Sequence, residues 1–223
     1  MVGGRVRDPL AKNRGGFADP RVRHDPFFRK ARAAGFAARS VFKLEEIDRR
    51  VRLLRAGDRI LDLGCSPGSW LQYAVQAVGP HGAVVGIDRN PPPRPIVGAR
   101  VIVGDIFSVT DAELLGSQKA FDAVLSDMAP DTTGIRSADQ ARSARLFSEA
   151  LSRAIRLLAP GGAFVGKVFQ GPDFEDVRKQ LALRFSEVKI IKPDSSRSQS
   201  IEIFLVGKGF WEPPATGFSS RGL

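Results

Sequence analysis

The chain of 223 residues holds one cysteine and two histidines. A single thiol, Cys65, excludes an internal disulfide, which fits a reducing compartment, and a cytoplasmic protein is expected. Cys65 itself reads as a small packing residue, with nothing beside it to activate a thiolate. His24 and His81 are far apart and have no partners at ligand spacing, so no metal site is expected. No run of about 18 apolar residues exists, which excludes a membrane-spanning helix. The opening MVGGRVRDPLAKNRGG has basic residues but lacks the apolar h-region of a secretory signal. Two nucleotide signatures are missing as well: the nicotinamide fingerprint G-x-G-x-x-G and the P-loop G-x-x-x-x-G-K-[ST].

What is present in excess is positive charge, a net +10. It is unevenly spread. Residues 1–55 hold 15 Lys and Arg against 6 Asp and Glu, whereas residues 56–223 hold 19 against 18. A basic pole attracts polyanions, nucleic acid first and anionic membrane second; the plainer alternative is a solvated basic tail. With 43% hydrophobic residues the chain can bury one sizeable core.

Residues 1–24 are rich in Gly, Arg and Pro without periodicity, and a flexible basic segment is expected there. A single domain then spans 25–210, with basic helices over 25–55 and a sheet core over 56–210, and a flexible tail covers 211–223. In 39–55 the apolar positions Val41, Leu44, Ile47, Val51 and Leu54 form one helical face. Lys43 lies at the edge of that face. Beyond Gly57 the pattern turns to alternation. Strands are expected at 59–63, 83–88, 99–106, 121–127, 163–169, 187–193 and 200–210. Helices are expected from Ser69, over 137–158 with the stop signal APGG, and over 174–185. Alternating strands and helices imply a doubly wound parallel sheet; the last two strands, with no helix between them, should pair antiparallel at one edge.

Ligands of such sheets bind outside the carboxyl ends of the strands. The first strand ends there in the turn G-C-S-P-G-S-W, and the next three end at Asp88, Asp105 and Asp127. One such aspartate is an ordinary loop or cap residue. Three at successive strand ends, beside Gly64 and Gly68, point to a ligand site. Carboxylates accept hydrogen bonds from a ribose diol and repel a pyrophosphate. The ligand is then a nucleoside with little negative charge. S-adenosylmethionine, whose sulfonium is positive, fits.

The motifs RSVFKLEEID, LDLGCSPGSW, LSDMAPD, GKVFQG and KPDSSRSQSIEIFLV follow in this order. With them the chain, from about Asp25 to Gly209, resembles the FtsJ/RrmJ-type ribosomal RNA methyltransferases, which methylate a ribose 2′-oxygen. The resemblance implies a Rossmann-like S-adenosylmethionine-dependent methyltransferase fold of α/β class. Its seven-stranded sheet would be mostly parallel, with one antiparallel edge strand and helices on both faces. It implies a catalytic set of Lys43, Asp127, Lys167 and Glu202, and cofactor contacts at Gly68, Trp70, Asp88, Asp105 and Asp127. It suggests RNA as partner, a uridine of 23S rRNA in the large ribosomal subunit, with tRNA as the alternative. A monomer with no DNA partner is expected. The chain departs from the family pattern at Ser69, where P-G-G-W is common, at Phe42, where Tyr is common, and at Gln199 and Ile201, where basic residues are common.

Methyl transfer to a hydroxyl needs oxygen and methyl in line and a group to take the proton. A free lysine, with a pKa near 10.4, is a poor base at pH 7; burial and a second cation both lower such a value. Lys167, between Val165 and Val168, is the expected proton acceptor or orienter, assisted by Lys43, with Asp127 and Glu202 orienting the lysines. Taken singly, Lys43 also reads as a helix-surface lysine, Glu202 as a solvent-facing strand residue and Trp70 as core. Phe27, Phe28, Phe36 and Phe42 suit either stacking on exposed bases or packing of the helices, and packing is expected for at least two. A non-catalytic RNA-binding relative and a base- or small-molecule-directed methyltransferase are the rival classes. The complete catalytic set speaks against the first, and D-M-A-P in place of an N-P-P-Y-like stretch speaks against the second.

Overall fold

The computed structural model describes residues 25–197 and 199–212. The expected flexible segment 1–24, and 213–223 of the expected tail, lie outside the described residues. In chain order the elements are α1 (Pro26–Ala33), α2 (Val41–Val51), β1 (Arg59–Leu63), α3 (Ser69–Val78), β2 (Ala83–Asp88), β3 (Ala99–Val103), α4 (Asp111–Leu115), β4 (Phe121–Ser126), α5 (Arg136–Leu157), β5 (Leu158–Phe169), α6 (Phe174–Ala182), β6 (Phe185–Ile191) and β7 (Glu202–Phe210).

The seven strands form one sheet in the order β3-β2-β1-β4-β5-β7-β6. β1 to β5 run parallel, and β7 runs antiparallel to both β5 and β6. The antiparallel strand therefore lies one place inside the edge, and β6 occupies the edge itself. The reason is burial. Ile203 to Val206 of β7 are all at most 1% exposed, whereas β6 leaves Glu187, Lys189 and Ile190 in solvent. A strand apolar on both faces belongs between neighbours, and a half-polar one belongs at the rim.

Period-two alternation divides the core. Leu61, Leu63, Val124, Phe164 and Val168 pack under α5 and α6. Ile60, Ala123, Leu125, Val165, Phe204 and Val206 pack under α2 and α3, against Leu44, Ile47, Trp70 and Leu71. Leu44 and Ile47 are fully buried, and each contributes about 2 kcal/mol of burial free energy. α2 stops at Val51 rather than continuing to residue 55. Asp48 accepts the amides of Leu53 and Leu54 at 2.8 and 2.9 Å, and Arg52 takes the left-handed φ of 52°. β5 is longer than expected. It begins at Leu158, and A-P-G-G is a bulge within it, with a register shift opposite Phe121 and Ala123.

The rings of Phe27 and Phe42 meet at 5.7 Å, tilted by 50°, and Phe36 packs on the same small cluster with Ala31 and Val41. Asp25 caps α1 through the amides of Phe27 and Phe28, and pairs with Arg39, which also donates to the Ser195 carbonyl. The basic N-terminal helices are thereby fastened to the loop that precedes β7.

Candidate active site

The strand order reverses between β1 and β4, and a crevice opens outside their carboxyl ends. Period two decides which residues enter it. Lys167 shares parity with Val165, Glu202 with Phe204, Asp127 with Leu125, and Asp62 with Ile60. All four therefore stand on the sheet face covered by α2 and α3. α2 brings Lys43 to the same face.

There the four residues of the expected catalytic set meet. Lys43 Nζ lies 2.7 Å from Glu202 Oε1 and 3.8 Å from Asp127 Oδ1. Lys167 Nζ lies 2.9 Å from the same Asp127 oxygen and donates to the Asp127 main-chain carbonyl at 2.8 Å. Asp127 thus stands between the two ammonium groups. Both lysines are buried, at 9% and 7% exposure. The edge position predicted for Lys43 on its helix is a buried one. Two cations and two carboxylates balance in charge, as a buried cluster must. The ring of Phe204 lies 5.7 Å from Lys43 Nζ and forms an apolar wall.

Beside this cluster lies a cavity of about 570 Å³, lined among others by Gly64, Asp88, Asp105, Asp127, Met128 and Phe107. Asp88 is held by the amides of Ser66 and Asn90, one on each oxygen, at 3.0 and 2.8 Å. Asp105 accepts the amide of Phe107 at 2.9 Å. Gly64, with φ 81°, passes so near Met128 that a Cβ would lie 2.3 Å from its Cγ. Gly68, with φ 106°, precedes α3 as its N-cap. Only glycine takes both conformations without strain. Ser69 already lies within α3, so a non-glycine residue is accommodated there.

Gly68 and Trp70 are not among the residues that line this cavity. Trp70 is buried against Phe204, and its indole N–H donates to the carbonyl of Ser40. Gly68 shapes the turn by its backbone.

A further residue, which sequence reasoning passed over, is Asp62. It is 1% exposed, and its Oδ2 has no hydrogen-bond partner among the described residues. Burial, then the Asp127 and Asp88 carboxylates, raise its pKa well above the usual carboxylate range. A polar residue between Leu61 and Leu63 in a buried strand was the available signal. Burial and the nearby Asp62 and Asp88 carboxylates likewise push the Cys65 thiol up, so it is no nucleophile.

The donor set fits S-adenosylmethionine. Asp88 and Asp105 present acceptors to hydroxyl and amino groups. The Asp88, Asp105 and Asp127 side chains that line it make the crevice favourable to a ligand bearing a sulfonium and an ammonium. Among the described residues no group of three or more His, Cys, Asp or Glu is arranged to hold a metal ion, and no helix is long and apolar enough to cross a membrane.

Residues 36–210 match the family model of the FtsJ-like methyltransferases. The chain is 52% identical over 190 residues to ribosomal RNA large subunit methyltransferase E of Sorangium cellulosum, covering 85% of this chain and 89% of that protein. It is 50% identical over 186 residues to the enzyme of the same name from Desulfatibacillum aliphaticivorans, covering 82% and 89%. A solved structure of a ribosomal RNA methyltransferase from Plasmodium falciparum is similar with a TM-score of 0.69 at 28% identity, over 78% of this chain and 98% of that one.

Proposed function

The chain belongs to the FtsJ-like methyltransferase family, and from that premise we propose that it methylates a ribose 2′-hydroxyl in RNA, at a uridine of 23S rRNA in the large ribosomal subunit. S-adenosylmethionine, bound in the crevice, supplies the electrophilic methyl group. Asp88 and Asp105 hold its nucleoside, and Asp127 joins that site to the lysines.

The observation that carries the reading is the continuous chain Glu202–Lys43–Asp127–Lys167, whose Asp127 lines the crevice. Lys167 takes or orients the 2′-hydroxyl proton. Its backbone lies between β4 and β7, and Asp127 fixes its amine by two contacts. Glu202 and Asp127 orient Lys43, whose charge stabilises the oxygen as it loses its proton. The burial of both lysines keeps water away from the transfer. The basic helices at 25–55 leave Arg29, Lys30, Arg32, Arg49 and Arg50 exposed, cations suited to an RNA backbone.

The test is transfer of labelled methyl from S-adenosylmethionine to undermethylated large subunits, free 23S rRNA and bulk tRNA, with the product digested to nucleosides. A 2′-O-methyluridine from the subunit or its rRNA is expected. Label in tRNA alone would keep the chemistry and overturn the substrate. Label on a base would overturn the chemistry.

A further inference from the structure

Ser40 precedes α2 as its N-cap residue, yet its side chain caps nothing. An N-cap serine ordinarily turns its hydroxyl onto the second or third amide of its own helix. Here the hydroxyl lies 2.8 Å from Ser69 Oγ, on the first residue of α3, directly after the glycine turn. The Ser40 carbonyl is shared. It accepts Trp70 Nε1 at 2.8 Å and the amide of Lys43 at 3.0 Å. Two successive residues that leave the glycine turn therefore grip one residue, and that residue bonds directly to the backbone of Lys43. Ser69 and Trp70 are buried, at 2% and 3% exposure, and Ser40 is half-buried, so these bonds are largely screened from solvent. The far end of α2 is fastened separately, by Tyr73 Oη donating to Asp48 at 2.8 Å. A small displacement of the glycine turn thus bears on α2 at its Lys43 end, while the other end is also held from β7, where Lys208 Nζ donates to the Val51 carbonyl.

We propose that Ser69, with Trp70, is a positioning residue that links occupancy of the cofactor turn to the placement of Lys43 through Ser40. The inference rests on the reading above only in naming S-adenosylmethionine as the occupant. Ser69 is also the position where the family pattern commonly has glycine, which has no hydroxyl to offer. This chain has a bond between turn and helix that the P-G-G-W form lacks.

The experiment is amide hydrogen exchange of the full chain with and without saturating S-adenosylmethionine, in the wild type, Ser69→Ala, Ser40→Ala and Tyr73→Phe. The cofactor is expected to slow exchange over residues 41–47 by about fivefold in the wild type. In Ser69→Ala and Ser40→Ala the slowing falls below about twofold, although equilibrium dialysis shows cofactor still bound. Tyr73→Phe, at the far anchor, keeps the wild-type response. In turnover, Ser69→Ala and Ser40→Ala each lower kcat by about fivefold with KM for RNA unchanged, and the double variant is no slower than the slower single one. An α2 response that is equal in Ser69→Ala and wild type, or missing from a wild type with cofactor bound, overturns the proposal. A wild type that shows the response yet methylates no RNA sustains the linkage and overturns the functional reading instead.

Discussion

The two lysines of the site sit in regions built on different principles. Lys167 belongs to β5, inside the sheet, where it faces Phe204 of β7 in the ladder and directly follows Gly166, which pairs with Ser126 of β4. Asp127, its partner, directly follows β4. Lys43 belongs to a helix laid on the sheet, held at its two ends by side-chain bonds from α3. A strand in mid-sheet cannot shift without breaking its ladders, whereas a docked helix tilts at the cost of a few contacts. The sheet therefore fixes Lys167 and Asp127, the pair proposed to handle the proton, and the helix supplies the proposed second cation, Lys43.

That contrast ranks the expected losses. Lys167→Ala is the largest, with kcat down by about 10³-fold or more and cofactor affinity within about twofold of wild type. Lys43→Ala should cost less, about 10- to 100-fold in kcat; a loss equal to that of Lys167→Ala would erase the distinction between strand and helix. Asp88→Asn separates binding from chemistry. It should weaken cofactor affinity about tenfold, read by equilibrium dialysis, and leave kcat at saturating cofactor near wild type.

A smaller effect concerns stability. The folded-state pKa of Asp62 is raised by burial and by Asp127 and Asp88. The folded chain thus holds this proton more tightly than the unfolded chain does. The resulting cost is absent below the unfolded value, grows as pH rises toward the folded value, and is then constant. Asp62→Asn should stabilise the cofactor-free protein by about 1 kcal/mol at pH 7 in urea unfolding, with the gain shrinking toward zero near pH 4. Tyr73→Phe comes last, costing about 1 kcal/mol or less of stability and sparing turnover.

Much of this was legible in the chain. The change from helical spacing to alternation placed the sheet, and three aspartates at successive strand ends placed the crevice. The motif resemblance selected the four residues that meet beside the crevice, and strand parity explains why three of them share a face with α2. The missing helix between the last two strands placed them as an antiparallel pair at one edge, and the unbroken run I-F-L-V beside the half-polar S-E-V-K-I-I shows why β7 is the inner of the two. α4 went unanticipated although T-D-A-E spells a capping box, with Thr110 and Glu113 bonded reciprocally. Its five residues are too few for a periodic signal. The Ser40–Ser69 bond had no local signature, because its partners are 29 residues apart and meet only when α2 docks on α3.

The most direct test of the sheet-borne acid–base pair is single-turnover methyl transfer by wild type and Lys167→Ala on the same undermethylated rRNA, with cofactor binding measured in parallel. The account predicts that the variant binds S-adenosylmethionine as the wild type does and forms 2′-O-methyluridine at least about 10³-fold more slowly. Turnover within about tenfold of wild type, with the cofactor bound, would contradict it and leave Lys167 as a structural lysine.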